Sequence, residues 1–295
     1  MSAASRCLMV GLQGSGKTSY LAALWHVVEA QELPASLSIP ALQPDREYLN
    51  RIRDRWLSFQ EVGRTPLAAD HPISLVLRDS KSGDLVDLSL PDVSGESFRL
   101  QWAMRRATLA YAERTRFATG MLLFLHSSVR RSDMPWNIQG SDEAASVEGL
   151  RTSGAQEFRS ATVMNEKPRQ WSAELAPTQV QVVDILQFAN HLYEGEAPLR
   201  IAVVISAWDL IKVRLSPSAW LERRLPLLSQ FLRGNERIMP FRVFGVSALG
   251  GDLKADLPKL QAEPLPTQRI QVIDDALAIS HDLTRPLRFV LHLDL

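Results

Sequence analysis

The chain has 295 residues, 33 Lys+Arg against 33 Asp+Glu, and one cysteine. Balanced charge gives no argument for a nucleic-acid or anionic-membrane partner, and one cysteine excludes an internal disulfide and any metal site built from several thiolates. No stretch approaches the roughly 20 apolar residues of a membrane span, and Met1 to Arg6 leads into no long apolar run of a secretory leader, so a cytoplasmic protein is expected.

The first predicted element is a short buried strand, Cys7-Leu8-Met9-Val10, with Cys7 as a small core residue. Gly11-Leu12-Gln13-Gly14-Ser15-Gly16-Lys17-Thr18 follows and fits G-x-x-x-x-G-K-[ST], the phosphate-binding loop. A helical pattern comes next, with Leu21, Leu24, Trp25 and Val28 on one face, so the motif has the strand-to-helix setting it requires. Its glycines let backbone N–H groups converge on an anion, and the helix N-terminus adds its dipole. Lys17 would reach the outer phosphates and the Thr18 hydroxyl would ligate Mg²⁺.

After a linker with Pro34 and Pro40, residues 45–60 read as a helix, with Asp45 as cap and Tyr48, Leu49, Ile52, Trp56 and Phe59 near one face. Gly63-Arg64-Thr65-Pro66 breaks it. Residues 73–77 and 85–90 read as two strands of a hairpin joined at Ser82-Gly83-Asp84, the second running into Pro91-Asp92-Val93-Ser94-Gly95-Glu96. Residues 97–114 suit a helix, and 119–125 form a continuous apolar strand of the kind covered on both faces. Residues 127–177 hold polar residues and prolines with little periodicity. So long an irregular stretch reads as an insertion, either disordered in part or a binding element. Then come a helix over 178–193, a buried strand over 200–205 ending at Ser206-Ala207-Trp208-Asp209, a helix over 217–233, and a strand over 241–246 ending at Ser247-Ala248-Leu249. Residues 267–280 look helical, and 284–291 form a last short element.

This alternation predicts an α/β fold: a mainly parallel sheet with one antiparallel strand and helices on both faces, a three-layer sandwich of the P-loop NTPase kind, with 1–295 as one domain carrying the insertion. Ligands of such sheets bind at the carboxyl ends of strands. The phosphate loop, Asp92, Asp209 and Ser247 each follow a strand, so four clusters are expected on one edge.

Asp92 can hold Mg²⁺ through water opposite Thr18, or simply shape a turn and cap; Gly95 can offer its N–H to a terminal phosphate. Asp209 can accept two hydrogen bonds from the edge of a guanine, or cap the next segment. Ser247 and Ala248 can supply a backbone N–H to the same base. Thr65 can complete the Mg²⁺ shell and sense the terminal phosphate, or be an ordinary turn threonine. His26, His71, His126, His191, His281 and His292 show no metal-ligand spacing, and for His126, at a strand end, a structural role is expected.

The ordered set of Gly-x-x-x-x-Gly-Lys-Thr, Thr65, Asp-x-x-Gly, Ser-Ala-Trp-Asp and Ser-Ala-Leu resembles the small-GTPase plan of the translation-factor-related P-loop GTPases. With the closing Thr284-Arg285-Pro286-Leu287-Arg288 it is similar to the bacterial double-GTPase families, proposed parts of multi-gene conflict systems. The resemblance implies that Gln13, Gly14, Ser15, Gly16, Lys17, Thr18 and Ser19 bind phosphates, that Thr18, Thr65 and Asp92 serve Mg²⁺, that Gly95 meets the terminal phosphate, and that Ser206, Asp209, Ser247 and Ala248 read guanine. The chain departs from that plan at three places. Ala207 stands where the guanine motif carries lysine. Glu96 stands where many small GTPases carry a water-positioning glutamine. Gln13 occupies a loop position that is often glycine.

The expected function is a GTP/GDP switch with slow Mg²⁺-dependent hydrolysis, Lys17, Thr65, Gly95 and Glu96 being the candidate catalytic residues. Two alternatives stay open: a catalytically weak nucleotide-binding module that contacts a protein partner through residues 127–177, and a P-loop ATPase or kinase.

Overall fold

The structure, a computed structural model, describes residues 5–40, 46–62, 72–91, 95–129 and 176–293. Asp45, Thr65, Asp92 and nearly all of the 127–177 insertion lie outside the described residues.

The chain runs β1 (Ser5–Val10), α1 (Lys17–Ala30), β2 (Leu37–Ser38), α2 (Arg46–Leu57), β3 (Pro72–Asp79), β4 (Leu85–Pro91), α3 (Gly95–Met104), α4 (Leu109–Arg116) and β5 (Gly120–His126). After the insertion come α5 (Thr178–Leu192), β6 (Arg200–Ser206), α6 (Pro217–Arg224), α7 (Pro226–Gly234), β7 (Phe241–Ser247), α8 (Leu257–Ala262), β8 (Gln271–Ile273), β9 (Ile279–Ser280) and α9 (Arg285–Val290). Among the described residues the strands form one sheet in the order β2-β3-β4-β1-β5-β6-β7-β8-β9. The centre, β4-β1-β5-β6-β7, is parallel. β3 runs against β4, as the hairpin reading requires, and β8 is a second reversed strand against β7.

The layers follow from strand alternation. Along β1, Cys7 and Met9 face a core shared with α1, α2 and α9, while Leu8 and Val10 face the opposite core under α3 to α7. In β5 and β6 the same parity holds: Leu122, Phe124, Ala202 and Val204 go one way, Met121, Leu123, Ile201 and Val203 the other. Strands buried on both faces need apolar residues at every position, which is why these runs are unbroken. Among the described residues no helix is long and apolar enough to cross a membrane.

Three expectations about helices are corrected. The helix expected over 97–114 is two, because Arg105 takes a left-handed φ of 52° and Thr108 caps a new start by accepting from the Tyr111 N–H at 3.2 Å. The helix expected over 217–233 breaks at Leu225, since Pro226 excludes helical backbone from the residue before it. Residues 267–280 are not a helix but a 3₁₀ turn and the hairpin β8–β9. Asp274 turns that hairpin by accepting from the Ala276 N–H at 3.0 Å, and β8 satisfies the exposed edge of β7. A short run with Ile270, Val272 and Ile273 fits either period, and only the unpaired sheet edge decides between them.

Candidate functional site

The parallel centre of the sheet brings the ends of β1, β5, β6 and β7 to one edge, and of the four expected clusters the phosphate loop, Asp209 and Ser247 emerge there. Ser206 pairs with His126 on one side and Val246 on the other, so the segments after β5, β6 and β7 start side by side. β4 is parallel to β1 through Ser5↔Leu88 and Arg6↔Ser89, so Gly95 and Glu96, which open α3, start from the same edge.

The loop from Gly11 to Thr18 wraps the N-terminus of α1. Gly16 caps the helix in the left-handed region, at φ 91°, and a Cβ there would sit 2.7 Å from Ser206 Cβ, so any side chain would be strained and would displace the end of β6. The first turn of α1, Lys17, Thr18 and Ser19, carries no acidic residue to compete for an anion at its positive end. Lys17 is buried. Its Nζ donates to Gly11 O at 2.6 Å and Leu12 O at 3.2 Å and lies 5.8 Å from the centroid of the Phe98 ring. The ammonium is therefore held across the mouth of the loop rather than left in solvent.

At the other end of the site a 3₁₀ turn, Trp208–Leu210, presents Asp209. Trp208 anchors this turn by packing edge-on to Trp220. Ser247 Oγ donates to Asp209 Oδ1 and accepts from the Gly250 N–H at 3.0 Å, which locks the end of β6 to the loop after β7. Ser247 is fully buried. Ser206 Oγ is buried above Gly16 and has no hydrogen-bond partner among the described residues, an arrangement that costs about 1–3 kcal/mol unless a bound group meets it.

These two ends share one cavity of about 430 Å³, within the range of small-molecule sites. Gly14, Gly16 and Ser19 line its phosphate-loop end, Ser206, Ala207, Asp209, Ala248 and Leu249 the other, and Phe124, Val204 and Val246 its floor. Gln13 and Ser15 instead line a second cavity, of about 280 Å³, on the other flank of the loop beside Val129 and Thr178. Thr65 and Asp92 lie outside the described residues, and for Gly95 and Glu96 only the backbone is described.

Sequence reasoning missed several lining residues. Glu61, Leu253 and Lys254 border the same cavity as Asp209. Glu61 follows α2, and Lys254 follows a turn in which Asp252 accepts from the Lys254 and Ala255 N–H groups, each at 2.8 Å. For Leu253 and Lys254 the sequence signal was position: Gly250-Gly251 directly after Ser-Ala-Leu marks a turn, and a turn at a strand end borders the ligand edge; Glu61 carried no such signal. His126 lines both cavities. Its half-burial pushes the imidazole below its usual pKa, against the opposing pull of Asp209, and its Nδ1 accepts from the Ser128 N–H at 3.1 Å, which leaves the proton on Nε2 when the ring is neutral. Ala207 takes a left-handed backbone, φ 51°, where it lines the main cavity beside Ser206 and Asp209.

The Double-GTPase 1 family model matches residues 8–290. None of the curated proteins compared with the chain matches it. Among solved structures the chain is similar to the bacterial selenocysteine-specific elongation factor EF-Sec, at 12% identity and TM-score 0.38 over 88% of this chain and 29% of that one. It is also similar to sup35 complexed with GDP, at 13% identity and TM-score 0.36 over 85% and 39%. A third is the signal recognition particle receptor SRb-GTP/SRX complex from Chaetomium thermophilum, at 13% identity and TM-score 0.39 over 85% and 94%. The chain thus spans well under half of the first two.

Proposed function

The chain belongs to the Double-GTPase 1 family, and from that premise we propose that it is a GTP-binding switch that hydrolyses GTP slowly to GDP with Mg²⁺. Membership supports GTP binding in general. The observation that carries the finer reading is the single cavity shared by the phosphate loop and the Asp209–Ser247 pair. A site that joins an anion cradle to an anchored strand-end carboxylate suits a phosphorylated guanine nucleoside.

In this reading the phosphates lie over Gly14 to Ser19, where the backbone N–H groups and the positive end of α1 hold them. Ser206 Oγ gives its buried hydroxyl to the ligand or to the loop around it. Asp209 accepts from the edge of guanine, and the backbone at Ala248 donates to it. The reaction is in-line attack of water on the terminal phosphate. Lys17 swings from the carbonyls of Gly11 and Leu12 to the phosphate oxygens and neutralises charge as the bond breaks. Mg²⁺, when bound, supplies further neutralisation. Thr18, in the first turn of α1, offers the hard oxygen donor that this ion prefers, and Thr65 and Asp92 would complete the set. Thr65 and Gly95 would tie their segments to the terminal phosphate and release them after hydrolysis, while Glu96 would act on water. The whole chain serves as one domain, acting in the cytoplasm, and residues 127–177 meet a protein partner.

Calorimetry of GTP against ATP, with Mg²⁺, on the wild type and Asp209→Ala tests this. GTP preference of at least about tenfold in the wild type, lost in the variant, is expected, since a charged hydrogen bond contributes about 1.5–3 kcal/mol. Equal affinities in the wild type would sink the guanine reading.

Ala207 favours a second reading, a nucleotide-binding module with little or no turnover, because alanine puts no long side chain over the base at that lining position. Tight retention of nucleotide with no phosphate release would support it; multiple turnovers abolished by Asp92→Ala would exclude it. The same alanine leaves an ATPase open, which the GTP–ATP comparison decides.

A further inference from the structure

α2 contributes nothing to the phosphate loop and stands on a different part of the chain from β6 and β7, yet its last turn reaches the loop that follows β7. Trp56, almost fully buried, donates its indole Nε1–H to Ala248 O at 2.8 Å. The Arg269 guanidinium fills the space beyond it, 4.5 Å from the centroid of Trp56 and 4.4 Å from that of Phe59. The backbone of the same arginine presses on the loop: a Cβ at Gly250, which holds φ 88°, would lie 2.6 Å from Arg269 O. Gly250 in turn donates to Ser247 Oγ, the group that orients Asp209.

The peptide between Ala248 and Leu249 is trans, so its C=O and N–H point in opposite directions. Fixing the Ala248 carbonyl on Trp56 therefore fixes the direction of the Leu249 N–H, on a residue that lines the cavity. We infer that Trp56 is a positioning residue for base recognition: its hydrogen bond to Ala248 sets the orientation of the 248–249 peptide against Asp209. This rests on the reading of Asp209 and the loop after β7 as the base site, and to the Ala248 N–H of the preceding peptide it adds the Leu249 N–H, the one that the Trp56-held peptide carries.

The structure supplies a matched control. Trp25, equally buried, donates its indole N–H to Asn50 Oδ1 at 2.9 Å across the α1–α2 contact, a partner that is not part of the loop after β7. Trp56→Phe and Trp25→Phe each delete one buried indole donor and keep a ring. Kd for GTP and for ATP would be measured for both, with the thermal midpoint of each. Both variants are expected to melt earlier, and only Trp56→Phe to lose about tenfold of the GTP-over-ATP preference, the loss expected when one recognition contact is no longer preorganised. Gly250→Ala displaces the same loop without altering Trp56; should Trp56→Phe not fold, the same loss of preference is expected from it. Wild-type preference in Trp56→Phe, or in Gly250→Ala where only that variant folds, would overturn the inference, as would an equal loss in Trp25→Phe. A wild type with no preference for GTP would overturn the base-site reading itself, and the inference with it.

Discussion

Ala207 shows how one side chain sets the character of the site. It borders the cavity between the phosphate loop and Asp209, and its backbone is already left-handed, so a larger L-residue there meets no backbone strain that alanine does not. Lys254 borders the same space from the loop after β7. In Ala207→Lys the aliphatic stem would lie over the base and the ammonium would sit near the phosphate loop, together contributing about 0.5–1 kcal/mol. The expected outcome is a threefold to fivefold lower Kd for GTP by calorimetry, with ATP changed less. Affinity equal to the wild type would mean that the base is already covered, Lys254 being the group placed to cover it. The sequence motif identified the gap at 207; it did not point to Lys254, because 47 positions separate them and only the parallel pairing of β6 with β7 closes that distance.

At the scale of elements, α9 is tied to the sheet by charge as well as apolar contact. Arg288 pairs with Asp79 at the end of β3, both buried, and Arg288 Nη2 also reaches Leu293 O at 2.5 Å. Burial by itself would raise the Asp79 carboxyl, but the Ser82 N–H and hydroxyl, each at 3.0 Å, and the Arg288 guanidinium outweigh it and hold the group below its usual value. A folded-state value below the unfolded one stabilises the fold above the unfolded pKa, near 4, and that stabilisation is lost as pH falls through the lower folded value. Asp79→Asn should therefore destabilise the protein by about 3 kcal/mol at neutral pH, since it leaves a buried guanidinium without its counter-charge, and should flatten the decline of the urea midpoint below pH 4. A variant whose midpoint falls with acid as steeply as the wild type would show that other carboxylates carry the acid dependence. Here the closing Thr284-Arg285-Pro286-Leu287-Arg288 segment, noted in the sequence only as part of a resemblance, has a structural reason.

For the molecule as a whole, ligand and fold are linked through α1. Lys17 is buried against Gly11 and Leu12, and in the proposed function its ammonium exchanges those carbonyls for phosphate oxygens. A nucleotide that binds only the folded state adds about 2.7 kcal/mol of stability at a hundred times its Kd, a rise of several degrees in a chain of this size. Thermal melts with and without GTP and Mg²⁺ should show that rise in the wild type and none in Lys17→Ala. A full shift in the variant would remove Lys17 from the phosphate site.

The sequence alone determined what is local or periodic. The phosphate loop is eight contiguous residues between a strand and a helix, and the buried strands over 119–125 and 200–205 announce themselves because burial on both faces demands an unbroken apolar run. The clusters at Asp209 and Ser247 were legible for the same reason, each standing where such a strand ends. Tertiary structure decided whatever depends on which strands are neighbours. The 267–280 segment became a hairpin because β7 offered an unpaired edge. Trp56 met Ala248, and Glu61 and Lys254 met the cavity, because crossovers carry distant segments to one edge of the sheet. Spacing in a sequence encodes the geometry of one element; the contacts between elements come from packing them, and it is packing that joined the phosphate loop and Asp209 in a single site.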